Sequence, residues 1–228
     1  VVRGASQPWE LRKTDPEGWT VTSPINWKAN PYAVEQLLFQ LRRLTWDSRF
    51  PVSDLDESGQ TLASYNLEDP PIQLILSTET VSLTLALGSP TEIGNRLYLM
   101  SPDSDFVHVV PRGLLDSLNR DLEAFLDRRI FSLTGEETRA LQIQDRAASN
   151  VRVRLERKEQ LWRFVSPIET AADPDRVEAL LNEWQGLEVS EFEPGREIPL
   201  AMNGSSIRLT MEGFSNRETL ILTRPVND

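Results

Sequence analysis

Alternating apolar and polar positions predict pairs of short strands at two places in the chain. The first pair covers Trp9–Lys13 and Trp19–Thr22, and the second covers Val151–Leu155 and Leu161–Val165. Apolar side chains at every second position are typical of a strand that buries one face and exposes the other. We therefore expect two antiparallel strand pairs, each with one face against a core.

An amphipathic helix is predicted after each strand pair. Asn30 and Asp173 are favourable N-cap residues, and each is followed by a proline, which suits the first helical position. Apolar residues then recur at helical spacing, from Val34 to Leu44 in the first helix and from Val177 to Leu187 in the second. We expect both helices to place their apolar faces on a sheet.

These similar predictions reflect an internal duplication. Trp19–Pro51 aligns without a gap with Trp162–Pro194, 143 residues later, and 12 of the 33 aligned positions are identical. The identical positions include the Ser-Pro-Ile triplets that begin at Ser23 and Ser166. A repeat of this length indicates two related structural units.

The remaining patterns predict a meander in the first copy and fewer elements in the second. A polar loop is predicted at Ser53–Gln60 and a helix at Arg112–Asp127. Further strands are predicted at Ile72–Leu76, Val81–Leu87, Leu97–Met100, Phe106–Val110, Ile130–Leu133, Ala140–Ile143, Ile207–Met211 and Thr219–Thr223.

Together these elements predict an α+β fold with two tandem copies of an antiparallel sheet covered by an amphipathic helix. Residues 1–136 are expected to form the first unit, with the strand pair, helix, meander and closing helices. Residues 137–228 are expected to form a second, shorter or truncated unit.

Composition narrows the classes of function. The chain has 228 residues, no cysteine, one histidine and a formal net charge of −11. This acidic balance disfavours nucleic acid as a partner, because binding to phosphates needs a basic surface. The lack of cysteine excludes disulfides and zinc–sulfur sites but leaves the compartment open. No apolar run approaches the roughly 18–20 residues of a membrane span.

No motif predicts a catalytic residue, a cofactor or a metal ligand. Asp54–Gly59 begins like a calcium-binding loop, but Tyr65 stands where such a loop needs a glutamate. His108 is the only histidine, and alternation places it on the more polar face of its strand. No Gly-x-Ser-x-Gly motif of a serine hydrolase accompanies it.

Two further polar motifs favour turns. Glu136 and Glu137 could serve as an acid–base pair, but they follow Thr134-Gly135 and are better explained as a turn or a helix start. Asn203-Gly204-Ser205 matches a glycosylation sequon, yet Asn-Gly before a strand first predicts a tight hairpin turn.

The tryptophans are the remaining candidates for binding. Trp19 and Trp162, at equivalent positions of the two copies, could be aromatic ligand platforms. Large aromatic side chains, however, more often anchor a strand to a helix in a small core. We therefore favour the core role for both.

Another candidate site lies where the two copies differ. Trp27 and Trp46 have no aromatic counterpart in the second copy, and the loop that holds Trp27 and Lys28 is replaced by Glu169-Thr170-Ala171. Trp27, in a polar loop, is expected to be the most exposed tryptophan. We predict that Trp27, Lys28 and Trp46 contribute to an interaction surface.

Several motifs together resemble a known family. They are Trp-x-Val-x-Ser-Pro at Trp19, Tyr65-Asn66-Leu67-x-x-Pro70, the Leu87-Gly88 turn, and Asp127-Arg128-Arg129-Ile130-Phe131. The chain resembles a bacterial tandem-domain family of unknown function that is associated with gliding-motility-type ABC transporter auxiliary components. The family's usual glycine in the Tyr-Gly-Leu turn is Asn66 here, and asparagine also tolerates positive φ.

The resemblance implies a protein of the bacterial cell envelope, on the periplasmic or extracytoplasmic side, tethered by a membrane helix upstream of Val1. A cytoplasmic location is the alternative. We expect a non-enzymatic interaction or scaffolding module of an envelope transport or motility complex, with protein partners that include membrane transporter components. The alternative is a small-molecule or glycan-binding module with its site between the two units.

Overall fold

The computed structural model describes residues 1–4, 8–14, 18–145, 152–193 and 206–223. The fold is mixed α and β, with mostly antiparallel sheets and few helices. The chain divides into two compact units, Val1–Asp127 and Arg128–Asp228. This division falls before the boundary at residues 136 and 137 that the repeat pattern suggests. The turn motif Asn203-Gly204-Ser205 lies outside the described residues.

The first unit begins with the strand pair and the helix that the sequence predicts, and continues into the meander. Its elements are β1 (Val2–Gly4), β2 (Glu10–Thr14), β3 (Gly18–Ser23), β4 (Trp27–Lys28), α1 (Pro31–Arg42), β5 (Ser48–Pro51), α2 (Ser53–Ser58), a 3-10 turn at Leu62–Tyr65, β6 (Ile72–Ser77), β7 (Ser82–Pro90), β8 (Arg96–Met100), β9 (Phe106–Pro111), α3 (Gly113–Leu118) and a 3-10 turn at Leu122–Phe125.

The strands of the first unit form two sheets. One sheet has the order β1-β6-β7-β8-β9-β5, and the smaller one has the order β2-β3-β4. Both sheets are antiparallel, as expected, but the strand pair β2-β3 and the meander belong to different sheets. The two sheets nevertheless meet at one bridge, where Val2 and Trp9 exchange backbone hydrogen bonds of 2.8 and 3.0 Å.

The larger sheet is covered on both faces. On one face, Leu67, Ala86 and Val107 form a small core with Phe50, Tyr65 and Tyr98 packed around it. On the other, alternate residues of the same strands are also buried, including Leu87, Leu97 and Leu99. A sheet that is buried on both faces loses the simple alternation of apolar and polar residues.

The second unit has a single continuous sheet in the order β13-β12-β11-β10-β14-β15. Its elements are β10 (Ala140–Asp145), β11 (Arg152–Lys158), β12 (Leu161–Ser166), β13 (Thr170–Ala171), α4 (Pro174–Gln185), β14 (Ser206–Glu212) and β15 (Arg217–Thr223). The helix α4 packs on this sheet, and their joint core contains Leu141, Leu155, Trp162, Val177, Leu181, Trp184, Leu209 and Met211.

The two repeated segments have the same local structure. In β3 and β4, Thr20 pairs with Lys28, and in β12 and β13 the residues 143 positions later, Arg163 and Ala171, are also paired. The Ala29 amide donates to the Trp19 carbonyl at 2.8 Å, as the Ala172 amide does to Trp162 at 3.0 Å. Both Ser-Pro peptide bonds, before Pro24 and before Pro167, are cis.

The predicted helix caps are confirmed. The side chain of Asn30 accepts hydrogen bonds from the first turn of α1, at 3.0 Å from the Tyr32 amide and 3.3 Å from the Ala33 amide. Asp173 caps α4 in the same way, at 3.0 and 3.3 Å from the amides of residues 175 and 176. Each cap satisfies amides that the helix itself leaves unpaired.

Three other predictions differ from the structure. The predicted polar loop at Ser53–Gln60 contains the helix α2, which is anchored by buried Leu55. The helix predicted at Arg112–Asp127 is interrupted between α3 and the second 3-10 turn. Ile130–Leu133 is irregular instead of a strand, because the amides of Ser132 and Leu133 donate to the side chain of Glu218, at 2.7 and 3.1 Å, and not to a neighbouring strand.

The turn motif behind the family resemblance also has a packing role. Asn66 has the positive φ expected of it, 53°, and its Nδ2 donates to the hydroxyl of Ser89 at 2.7 Å. A Cβ at Gly88 would overlap the carbonyl oxygen of Tyr65 and press on Leu67. The Tyr65-Asn66-Leu67 turn and the Leu87-Gly88 turn, which are distant in sequence, therefore pack against each other.

None of the helices in the described ranges is both long and apolar enough to cross a membrane.

Candidate functional site

Trp27 and Lys28 form the short strand β4 instead of an exposed loop, so the exposure expected for Trp27 is wrong. Trp27 is half-buried, and its Nε1 donates to the carbonyl oxygen of Asp127 at 2.6 Å. The carbonyl of Lys28 accepts from the Asp127 amide at 3.0 Å. These contacts tie β4 to the end of the first unit and indicate a structural role for Trp27.

Trp46, in contrast, is 57% exposed. It belongs to a cluster that we name the Trp46 patch, made of Trp46, Arg49, Phe106 and His108. The guanidinium of Arg49 lies 4.5 Å from the ring centre of Phe106 and 5.9 Å from that of Trp46. His108 meets Trp46 edge-on, with ring centres 5.5 Å apart. One cation thus stacks between two aromatic rings, an arrangement with favourable cation–π energy.

Strand pairing explains how the patch forms. Arg49 of β5 lies directly opposite His108 of β9, and Pro51 lies opposite Phe106. Arg49, Phe106 and His108 therefore project from the same face of the sheet. The strand β5 is the last in the order of its sheet, so the patch lies at an edge.

The face that carries His108 is less polar than the alternation in β9 suggests. His108 pairs with Leu99, and Val110 on the same face pairs with Leu97; both leucines and Val110 are buried. Burial, and to a lesser extent the charge of Arg49, lowers the pKa of His108 from its usual value of 6.5. The neutral imidazole is therefore favoured near neutral pH.

Arg49 has no carboxylate partner within the described residues. Its neighbour Asp47 is paired with Arg96 instead. The guanidinium thus keeps its hydrogen-bond donors available while its flat face rests on aromatic rings. This leaves a positive group at an exposed aromatic surface in an otherwise acidic protein.

A second feature is a cleft of about 570 Å³ in the second unit. Trp162 of β12 and Leu181 of α4, both core residues, reach its inner surface. One wall is the outer side of α4, and the opposite wall combines the Thr134–Glu136 turn with the ends of β11 and β12. The core role preferred for Trp162 is supported by its burial, but this side chain also reaches a concave surface.

Arg157, at the end of β11, is the cation of this cleft. Its Nη1 donates to the carbonyl oxygen of Gly135 at 3.1 Å. Its Nε is buried and has no hydrogen-bond partner within the described part of the chain. The guanidinium therefore has donors that the protein itself leaves unused.

The remaining polar motifs of the sequence have structural roles. Glu137 accepts hydrogen bonds from the Thr134 amide at 2.9 Å and from its hydroxyl at 2.8 Å, and these bonds lower the pKa of Glu137. Asp54 and Asp56 lie in α2. Within the described ranges no group of three or more His, Cys, Asp or Glu residues could hold a metal ion.

Sequence reasoning missed Arg49 and the lining of the cleft. The patch depends on the pairing of β5 with β9, and the cleft combines side chains from three separate segments. A usable signal was present for the cleft, since Trp162 was already a candidate for a ligand platform. A second signal was Asn182 of α4, a polar residue at the position where α1 has Phe39.

Comparison with known proteins places the chain in a family. A family model matches residues 19–202, from Trp19 in the first repeated segment to beyond the end of the second. No curated protein and no solved structure matches the chain. Because the match spans both units and most of the 228 residues, the chain belongs to the family described as a domain of unknown function, DUF4340.

Proposed function

We propose that this protein is a non-enzymatic interaction module that binds a protein partner through the Trp46 patch. The observation that carries the proposal is the exposed indole of Trp46 beside an unpaired guanidinium, Arg49, at the edge of a sheet. Tryptophan and arginine are the residue types that most often dominate the binding energy of protein interfaces.

The position of the patch supports a protein partner over a small molecule. It lies on the edge strand β5 and is a surface feature instead of an enclosed cavity. An edge strand offers backbone groups for pairing with another chain, and adjacent side chains then give specificity. The complementary partner surface is apolar opposite Trp46 and presents a carboxylate to Arg49.

The residues Trp46 and Arg49 of the patch occur in the first copy of the repeat and not in the second. The positions equivalent to Trp46 and Arg49 in the second copy are Val189 and Phe192. The shared fold therefore does not require this pair of residues, and the exposed indole lowers solubility without adding to the core. A binding role explains why such a surface is present.

We further propose that the partner belongs to a bacterial envelope transport or motility complex. This part rests on the resemblance to a family associated with ABC transporter auxiliary components. It includes an extracytoplasmic location and an anchor upstream of Val1. We assign no catalytic residue.

The test is quantitative affinity capture from detergent-solubilised membranes of the parent organism, followed by measurement of the Kd for the partner identified. Trp46→Ala should weaken binding at least tenfold, because hot-spot truncations cost about 2 kcal/mol or more. Tyr32→Ala is the matched control, since Tyr32 is 71% exposed on α1 and lies outside the patch. Equal binding by wild type and Trp46→Ala would reject the patch as the interface.

A further inference from the structure

The cleft in the second unit has the shape and the rigidity of a ligand site. Its volume of about 570 Å³ falls within the range of roughly 300–1,000 Å³ that is typical of small-molecule sites. Its walls are tied together, because Gln185 Nε2 donates to the Leu133 carbonyl at 3.1 Å and Arg157 holds the Gly135 carbonyl. A preformed site loses little entropy when a ligand binds.

The wall provided by α4 is mainly polar. Glu178, Asn182 and Gln185 lie along one side of the helix and line the cleft, with Pro174 at the helix start. The side chains of Glu178 and Asn182 make no hydrogen bond to another described residue, and Gln185 uses only its amide nitrogen. This wall therefore has acceptors and donors available for a ligand.

The wall opposite α4 also presents both hydrogen-bond donors and acceptors to the cleft. Arg157 has a guanidinium nitrogen, Nη2, from which no described residue accepts, whereas its Nε is buried out of reach of a ligand. The side-chain amide of Gln160 likewise has no hydrogen-bond partner among the described residues. Glu136 contributes an exposed carboxylate from the turn. Donors and acceptors therefore face the cleft from both sides, while Trp162 and Leu181 provide an apolar surface between them.

The charges and the strand order limit the class of ligand. Two carboxylates, Glu136 and Glu178, outnumber the one guanidinium of Arg157, which disfavours phosphates and other polyanions. The strands that border the cleft, β11 and β12, each pair with a neighbour on both sides. An extended peptide thus finds no free strand edge there, and recognition must come from side chains.

We infer that this cleft binds a neutral saccharide. The hydroxyl groups of a sugar ring are both donors and acceptors, which matches adjacent carboxylate, amide and guanidinium groups. The C–H face of the ring is apolar and suits the small parts of Trp162 and Leu181, 7% and 5% exposed, that border the cleft. The side chains concerned belong to the second unit, so this inference is independent of the Trp46 patch.

The first copy shows that the shared fold does not require these polar residues. Asn182 and Gln185 are replaced at the equivalent positions of α1 by Phe39, which is 54% exposed, and Arg42. The same helix position therefore has an aromatic side chain in one copy and a hydrogen-bonding amide in the other. The other α4 positions of the lining, Pro174, Glu178 and Leu181, are identical in the two copies, so the difference lies in Asn182 and Gln185 alone.

The test uses the full chain and a panel of neutral sugars: glucose, galactose, mannose and N-acetylglucosamine, with their di- and trisaccharides. Isothermal titration should detect saturable binding of at least one member. Asn182→Leu should weaken that binding at least tenfold, because the new side chain fills the cleft and removes an amide. Glu183→Leu is the matched control, since Glu183 is the adjacent, exposed residue and lies outside the lining.

Glu178→Gln provides a second variant that leaves the shape of the helix surface unchanged. It should also weaken binding, because an amide oxygen is a poorer acceptor than a carboxylate for a hydroxyl donor. The inference is overturned if no neutral sugar binds, or if Asn182→Leu and Glu183→Leu bind equally well. Binding of inorganic phosphate or of a tripeptide in place of sugars overturns it as well.

Discussion

The imidazole of His108 meets the indole of Trp46 edge-to-face, with ring centres 5.5 Å apart and an angle of 65° between the ring planes. This contact joins a side chain of the sheet to the exposed indole of the Trp46 patch. It also covers the histidine and so disfavours its charged form. The protonation of His108 is therefore coupled to the surface that we propose as the interface.

The first prediction concerns the titration of His108, which is the only histidine and so gives one set of imidazole NMR signals. Its midpoint should lie below the usual value of 6.5, because burial and then Arg49 lower the pKa. Trp46→Ala, which removes part of the burial, and Arg49→Gln, which removes the nearby charge, should each raise the midpoint. A midpoint at or above 6.5 in the wild type would contradict this account.

The same shift fixes the sign of a stability effect. The unfolded chain protonates His108 at a higher pH than the folded chain does. This contribution to stability is thus complete above about pH 6.5 and decreases as the pH falls toward the lower pKa of the folded state. Replacing His108 by glutamine should remove that part of the pH dependence in urea denaturation.

The sequence correctly predicted the elements whose stabilising contacts join residues that are close in the chain. The caps at Asn30 and Asp173 and the strands that precede them depend on residues close in the chain, and the structure has them as expected. The helix α2 was missed because its polar residues are typical of a loop. Its formation depends on the burial of Leu55, which the sequence pattern does not reveal.

The candidate sites were harder to predict, because they depend on contacts between distant residues. Trp27 looked exposed in a polar loop, but its hydrogen-bond partner Asp127 lies 100 residues away. Trp46 was identified from its difference between the copies, whereas Arg49 became a candidate only once β5 was seen beside β9. Pairings between distant strands are the information that a single sequence lacks.

The second prediction compares how Trp27 and Trp46 contribute to the free energy of unfolding. Trp27→Phe removes the hydrogen bond from Nε1 to the Asp127 carbonyl and should lower the free energy of unfolding by about 1 kcal/mol. Trp46→Phe should change it by less than about 0.5 kcal/mol, as for most surface substitutions. Urea unfolding followed by circular dichroism measures both. Equal effects would show that the Trp27 bond does not stabilise the first unit.

The third prediction concerns the fit of two turns. Gly88→Ala places a methyl group against the Tyr65 carbonyl and within 3.0–3.1 Å of Leu67. Because Leu67 is buried, the turn cannot easily move away, and we expect a loss of about 1–3 kcal/mol. The measurement is thermal unfolding.

Gly113→Ala is the control for this substitution. Gly113 begins α3, and a Cβ there would have no atom within 4 Å. Alanine favours helix over glycine by up to about 1 kcal/mol, so this variant should be as stable as the wild type or more stable. If both glycine variants lost stability equally, the steric explanation for Gly88 would be wrong.

The repeated hairpin and capped helix also have a consequence for the order of folding. The contacts of each segment, such as Trp19 with Ala29 and Asn30 with the first turn of α1, join residues that are close in the chain. Closing such short loops costs little chain entropy, whereas pairing β1 with β6 or β10 with β14 requires a much longer loop. We expect the chain to begin folding at two places, one in each unit, before the distant strands pair.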